Sequence, residues 1–221
     1  VEKRFSKGLA FVSSYTWSHT IDQNDESLDE NLSGNANPYD FTAERGNASL
    51  DRRHNFLTSV TYELPFRFSS GVLRAALGGW QLGGILSFRT GFPFDVSYPG
   101  DPQNSGTRSR GNRIATGTLD RPTIDRWFDE SAFVQSAPGV FGNTGRNVLY
   151  GPGLRNFNLI LAKRFDLPWE GHYLQFRFES FNLTNTPQFG QPAAGLRAPT
   201  TATINSADEP RRIQFALKYN F

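Results

Sequence analysis

Apolar and polar residues alternate along the chain, and the alternation is most regular between Arg212 and Phe221. One set of alternate positions there is wholly apolar, namely Ile213, Phe215, Leu217, Tyr219 and Phe221. The other set holds Arg212, Gln214, Ala216, Lys218 and Asn220. Because successive side chains of a β-strand point to opposite faces, this pattern predicts a strand with one apolar face and one mainly polar face.

The same alternation recurs and predicts six strands, with Val1 to Phe5 as the tail of an earlier strand. The six lie at about 8–21, 53–66, 78–91, 154–166, 171–184 and 210–221. At a rise of roughly 3.3 Å per residue, such strands exceed the ~25 Å apolar band of an outer membrane when tilted. They are also longer than the ~5–6 residues usual in soluble sheets. The lengths therefore favour membrane-spanning strands.

The pattern is imperfect in two respects. Some apolar residues fall on the parity of the polar face: Val12, Leu57, Ile85 and Ile160. In the segment 171–184, moreover, the alternation slips at Phe181 and Leu183. We interpret the slip as a β-bulge or as the point where the strand leaves the lipid band.

The predicted connections differ in length at the two ends of the strands. The segments at about 67–77 and 167–170 are short, whereas those at about 22–52, 92–153 and 185–209 are long and rich in Gly, Pro, Asn and Asp. Short turns on one side and long loops on the other are typical of outer-membrane barrels. The sequence thus predicts an all-β fold, a transmembrane antiparallel up-and-down β-barrel with its long loops outside.

The composition excludes several other kinds of membrane segment, site and partner. The mean hydropathy is −0.50 and no run approaches the ~20 apolar residues of a membrane helix. The chain holds 20 Phe and no Cys, which excludes disulfides and thiolate metal sites. Its 23 basic and 21 acidic residues are dispersed, so no nucleic-acid partner is expected.

The predicted strands are too few for a complete barrel. The smallest bacterial barrels have about eight strands, and an open edge in lipid leaves backbone groups without hydrogen bonds. Since the chain begins with Val1 and contains no Met, we expect a processed or partial product whose other strands precede Val1. The whole range 1–221 is then the C-terminal part of a single barrel domain.

Several stretches of the chain resemble the C-terminal barrel region of TonB-dependent outer-membrane receptors of the Oar-like type. They occur in family order and cover most of the sequence. The stretches are YTWSHTID (15–22), NPYDFTAERGNASLDRRHNF (37–56), VTYELPF (60–66), GWQLGGILSFRTGFPF (79–94), WFDESAFVQSAPGVFGNTGRNVLYGPGLRNFNLILAKRF (127–165), FRFESFNLTNTPQFG (176–190) and RRIQFALKYNF (211–221).

The resemblance implies a barrel of about 22 strands, of which this chain supplies the last six or seven, with its lumen plugged by an N-terminal domain that is absent from this sequence. It also implies uptake of a bulky ligand of unknown identity, driven by a TonB-type energy-coupling protein. A non-transporting surface or adhesion barrel that anchors loops is an alternative, as is a soluble β-sandwich. If the chain is part of a membrane barrel, its expected partners are outer-membrane lipid, the preceding strands and plug of the same protein, and the barrel-assembly machinery.

Three groups of residues are candidates for function. The alternate residues Phe215, Leu217, Tyr219 and Phe221 fit the signal that the assembly machinery reads on a last strand, by strand addition with an aromatic face. The residues expected to line the lumen are Glu63, Arg89, Gln175, Arg177, Glu179, Gln214 and Lys218. The residues expected to form a loop-to-barrel ion-pair network, or to contact an anionic ligand or lipopolysaccharide, are Arg45, Asp51, Arg52, Arg53 and His54.

Other clusters carry weaker signals. Aromatic residues near the predicted strand ends form either membrane-interface girdles or ordinary packing, and they are Tyr15, Trp17, Tyr62, Phe66, Trp80, Phe165, Tyr173 and Tyr219. An acidic group of Asp22, Asp25, Glu26, Asp29 and Glu30 lacks the spacing of a calcium loop and reads as a solvated loop. No nucleophile elbow, phosphate-binding loop or paired-His zinc motif occurs, so we expect no catalytic, metal or cofactor site.

Overall fold

A computed structural model describes residues 1–23, 36–37, 39–66, 68–69, 71–106 and 109–221. Most of the acidic group, from Asp25 to Glu30, lies outside the described residues. The elements are β1 (Glu2–Ser6), β2 (Leu9–Trp17), β3 (Ile21–Asp22), β4 (Gly46–Asn47), β5 (His54–Glu63), α1 (Gly71–Leu77), β6 (Trp80–Arg89), β7 (Pro93–Phe94), β8 (Asn112–Arg113), a 3₁₀ turn (Glu130–Ala132), β9 (Phe133–Val134), β10 (Leu149–Tyr150), β11 (Leu154–Asp166), β12 (Tyr173–Phe181) and β13 (Arg212–Asn220).

The long strands form one seven-stranded antiparallel sheet in the order β1-β2-β5-β6-β11-β12-β13. Each strand pairs with the next long strand along the chain, which confirms the predicted up-and-down arrangement. The sheet is open, with β1 and β13 at its edges. The two-residue strands form small ladders within the loops: β3 with β4, β7 with β10, and β8 with β9.

The register separates the two faces of the sheet. One cross-strand row runs through six strands and is entirely apolar, consisting of Leu9, Tyr62, Leu82, Leu161, Phe178 and Phe215. The neighbouring row on the opposite side contains Glu63, Gln81, Ala162, Arg177 and Ala216. We call the side of the first row the apolar face and the side of the second row the polar face.

Within the described residues, no protein packs over the apolar face at its edge strand β13. Phe215 is 69% exposed and Leu217 is 67% exposed, although both are large apolar side chains. The main buried cluster of the described residues lies instead in the long loops, and it comprises Phe94, Val96, Phe128, Ala132, Phe133, Leu149, Leu196 and Ala202. An uncovered apolar surface of this kind needs another apolar medium, such as lipid, to be stable.

The sheet has two ends, which its connections distinguish. At the turn end β1 joins β2 through Lys7 and Gly8, both with positive φ (52° and 80°), as a tight hairpin turn requires. The segment 167–172 is the other tight connection there. At the loop end the strands join the long segments 18–53, 90–153 and 182–211.

Lys163 is one of the charged residues that interrupt the apolar face. Lys163 shares its cross-strand row with Trp80 and Phe176, yet only 3% of it is exposed. Its Nζ donates a hydrogen bond to the Gly78 carbonyl at 2.5 Å and lies over the rings of Trp80 and Phe165. The ammonium group therefore caps the connection 64–79 at the turn end.

The structure excludes one of the two interpretations of the slip at Phe181 and adds detail to the predicted connections. The segment 171–184 contains no bulge, because β12 keeps a regular register with β13 and ends at Phe181, before Asn182 adopts a positive φ of 51°. The register shift of the sheet lies in β1, between Lys3 and Ser6. The connection at 67–77 includes the short helix α1.

Tyr173 belongs to the polar face, opposite Asn220, and is therefore not part of an aromatic band on the apolar face. The helices that the structure describes include none with the length and apolar character needed to cross a membrane.

Candidate functional site

The polar face brings together all the residues that the sequence predicts to line a lumen. Glu63 and Arg89 lie on it at opposite ends of the β5–β6 pair, while Gln175, Arg177, Glu179, Gln214 and Lys218 lie on it across β12 and β13. Whether these residues line a lumen in a closed barrel stays a prediction.

A polar network crosses the last two strands on this face. Arg177 forms an ion pair with Glu179, and the Gln214 side chain donates a hydrogen bond to the other oxygen of Glu179. Gln175 and Lys218 are cross-strand partners nearer the turn end. Charged and amide groups held in this way suit a hydrated interior rather than lipid.

Four of the apolar side chains on the polar face lie next to one another. Val12 and Ile85 both lie opposite Ser59, Leu57 lies diagonally beside each of them, and Ile160 lies opposite Gly83, diagonally beside Ile85. Val12 is 55% exposed, and Leu57 and Ile85 are also exposed. These residues, which the alternation left unexplained, therefore form one continuous stripe across β2, β5, β6 and β11, which we call the apolar stripe.

Asp51 is the centre of an ion-pair network at the loop end of the sheet. Its side chain is fully buried, and one oxygen accepts a hydrogen bond from the Thr20 amide at 2.7 Å. The other oxygen lies 3.0 Å from Nε of Arg53 and accepts a longer hydrogen bond from the Tyr150 hydroxyl. Asp51 thus connects three segments of the chain.

The remaining residues of the expected network have separate partners. Arg52 lies over the ring of Phe92 at 3.6 Å and donates to the Thr90 carbonyl. His54 stacks on Tyr15 and shares a hydrogen bond with its hydroxyl. Arg45 is exposed and forms no ion pair within the part of the chain that the structure describes.

Sequence reasoning did not identify the most deeply buried ion pair of the loops. Glu44 and Arg110 form this pair, and both side chains are almost fully buried. Arg146 donates to the Glu44 carbonyl at 3.1 Å and forms a second ion pair with Asp22. No local sequence pattern predicts these ion pairs, because the partners lie far apart in the sequence.

Two asparagines join the loops in a reciprocal way. The side-chain amide of Asn47 donates to the Asn147 carbonyl, and that of Asn147 donates to the Asn47 carbonyl, each at 2.8 Å. Together with the buried ion pairs, this contact fastens the segment 36–53 to the segment 109–150. The described parts of the loops at this end therefore form one body, which we call the loop cap.

A pocket of about 880 Å³ lies at the junction of the sheet and this cap. We call it the rim pocket. Its lining includes Trp17, Arg53, His54, Arg89, Trp127, Tyr150 and Arg155, together with Gly and Pro residues of 151–153. Aromatic surfaces and arginines dominate it, which suits an anionic or polar ligand with an apolar portion.

The residues proposed as the assembly signal lie on an exposed edge. Phe215, Leu217 and Tyr219 point to the apolar face of β13, which has a neighbour on one side only. Phe221 follows the strand and is 91% exposed. Tyr219 shares a hydrogen bond with His172 of the adjacent turn at 2.5 Å. Their role in assembly stays a prediction.

Comparison with known proteins gives one match. A family model described as an outer membrane beta barrel domain matches residues 1–214, which include most of the sheet and all of the loop cap. No curated protein and no solved structure matches the chain significantly.

Proposed function

The chain belongs to the family of outer-membrane β-barrel domains, and we propose that within this family it is part of a TonB-dependent, Oar-like uptake receptor. It is a protein of the bacterial outer membrane. In this proposal the seven strands are a section of a larger barrel of about 22 strands, and the apolar face contacts lipid.

The need for more strands follows from the free edges of the sheet. β1 and β13 each have a neighbour on one side only, so their outer backbone groups have no ladder partner within the described residues. In lipid each such group would cost several kcal/mol, which is why only closed barrels span membranes as strands. Additional strands of the same protein would satisfy both edges.

The observation that carries the transport proposal is the apolar stripe on the polar face. A lumen filled only with water favours polar side chains. In such a lumen, exposed apolar side chains such as Val12 and Leu57 have no apolar surface to pack against. A lumen occupied by a folded plug offers an apolar surface against which the stripe can pack. The charged network of Arg177 and Glu179 would then face the hydrated space beside the plug.

The proposal is tested by binding of the full-length protein to the periplasmic domain of a TonB protein from the same bacterium. We expect the purified receptor in detergent to bind this domain, and we expect tonB deletion to abolish its energised uptake activity. A known TonB-dependent receptor is the positive control.

Absence of binding would contradict the proposal, provided that the positive control binds. A steady open-channel conductance of the same preparation in planar bilayers would then favour the non-transporting barrel. If the full-length protein stayed monodisperse without detergent, both the transporting and the non-transporting barrel hypotheses would be contradicted.

A further inference from the structure

The rim pocket stands directly above a band of aromatic side chains on the apolar face. Tyr15, Phe56 and Phe88 form one cross-strand row, and Arg155 completes this row on β11. Trp17 and His54 form the next pair towards the loops. Aromatic rings on the apolar face of a barrel mark the boundary between lipid tails and head groups. The pocket therefore borders the head-group region of the outer leaflet.

The charge of the rim pocket is positive and largely uncompensated. None of the described residues that line it is an Asp or a Glu. Arg53 is neutralised by the buried Asp51, but Arg89 and Arg155 form no ion pair within the described residues. Nε of Arg89 is buried and lacks a hydrogen-bond partner among them.

A neighbouring arginine adds to the positive potential. Burial and the nearby charge of Arg89 together lower the pKa of the Arg52 guanidinium. Like charges held close together in a partly desolvated place are unfavourable unless an anion lies between or beside them. Guanidinium groups bind phosphate with paired N–H donors, which makes phosphate the best match.

From this geometry we propose that the rim pocket binds a phosphate group of an outer-leaflet glycolipid, of the lipopolysaccharide type, with Arg155 as the principal phosphate ligand. Trp17 and His54 provide the polar and aromatic wall on the membrane side. The apolar face below them accommodates the acyl chains of the same molecule. The principal ligand, Arg155, lies on the apolar face, so the proposed site does not require transport activity.

The test uses the full-length protein in nanodiscs of phosphatidylcholine that contain diphosphoryl lipid A or its dephosphorylated form. Native mass spectrometry measures the retained lipid. We expect the wild type to retain diphosphoryl lipid A and Arg155→Gln to weaken retention by roughly tenfold, as for loss of one charge-assisted hydrogen bond. Arg155→Lys should weaken it less.

The matched control is Arg212→Gln. Arg212 lies at the same end of the sheet but on the polar face, paired with Glu209, so its substitution should leave retention unchanged. Heat-modifiable migration in gels verifies that each variant is folded. Equal retention by Arg155→Gln and the wild type would overturn the proposal, as would equal binding of dephosphorylated lipid.

An arm with inorganic phosphate distinguishes a lipid site from a site for a soluble anion. Phosphate at millimolar concentration should not displace the lipid, because the lipid is also held by its acyl chains. Complete displacement would assign the pocket to free anions and contradict the lipid proposal.

Discussion

Glu44 and Arg110 are 66 positions apart in the sequence and form an ion pair from which water is almost entirely excluded. Glu44 also accepts a hydrogen bond from the Asn37 amide, and its carbonyl accepts one from Arg146. The pair therefore joins two long loops into one body above the sheet. A buried charge that loses its partner is strongly destabilising, so the cap depends on both residues.

We expect Arg110→Ala to destabilise the loop cap by about 3–5 kcal/mol, because it leaves the Glu44 carboxylate buried and unpaired. Hydrogen exchange of segment 109–150 in the folded protein is the measurement. Arg126→Ala is the control, since its pair with Asp129 is solvent-exposed and should contribute about 0–1 kcal/mol. Similar exchange in the two variants would contradict the importance of burial.

The assignment of the two faces predicts opposite effects of a new charge at neighbouring positions of β5. Val60 lies on the apolar face and Thr61 on the polar face, as neighbours within the strand. We expect Val60→Arg to cost about 2–4 kcal/mol of folding free energy in a bilayer and Thr61→Arg to cost far less. Urea titration of the protein in lipid vesicles measures the difference, and the reverse order would refute the assignment.

The apolar stripe predicts that the barrel conducts more ions when the contacts of the stripe with the proposed plug are removed. We expect the double substitution Leu57→Asn and Ile85→Asn to loosen the plug, because polar amides at these positions would face its apolar surface. The conductance of the full-length protein in planar bilayers should rise several-fold. The control Thr61→Asn, on the same face, should leave the conductance at the wild-type level. A wild-type conductance of the double variant would argue against a contact between the stripe and a plug.

The hydrogen bonds of Asp101 predict that the stability of the turn at residues 101–106 depends on pH. The backbone amides of Ser105 and Gly106 donate to its carboxylate and lower the pKa of Asp101 below its ordinary value of 3.8. A lowered pKa means that the stabilisation is present above 3.8 and is lost as the pH falls through the lower folded value. Amide exchange of 105–106, corrected for the intrinsic rate, should increase in that acidic range. Asp101→Asn should show no such pH dependence.

The strands were predictable because period-two alternation is a local property of the sequence. β11 has the predicted bounds, whereas the other long strands are shorter than predicted by a few residues at their ends. The slip at Phe181 was ambiguous, since alternation alone does not distinguish a bulge from the end of a strand. A positive φ at Asn182 ends β12, and the pattern of apolar residues contains no information about it.

The candidate site was only partly predictable for a related reason. Asp51 and Arg53 are close in sequence, and the structure brings them together as an ion pair. The sequence predicted that Arg45 belongs to the ion-pair network, yet its neighbour Glu44 is the residue with buried partners. Those partners, Arg110 and Arg146, approach only after the loops fold over the sheet, so one sequence could not pair them.

The long loops carry their own apolar core, built around Phe128 and Leu149, separately from the strands below. Outward-pointing residues of such a cap can be replaced without disturbing either that core or the apolar rows of the sheet, since they contribute to neither. The outer surface of the loops can therefore vary while the strands that hold the protein in the membrane stay the same.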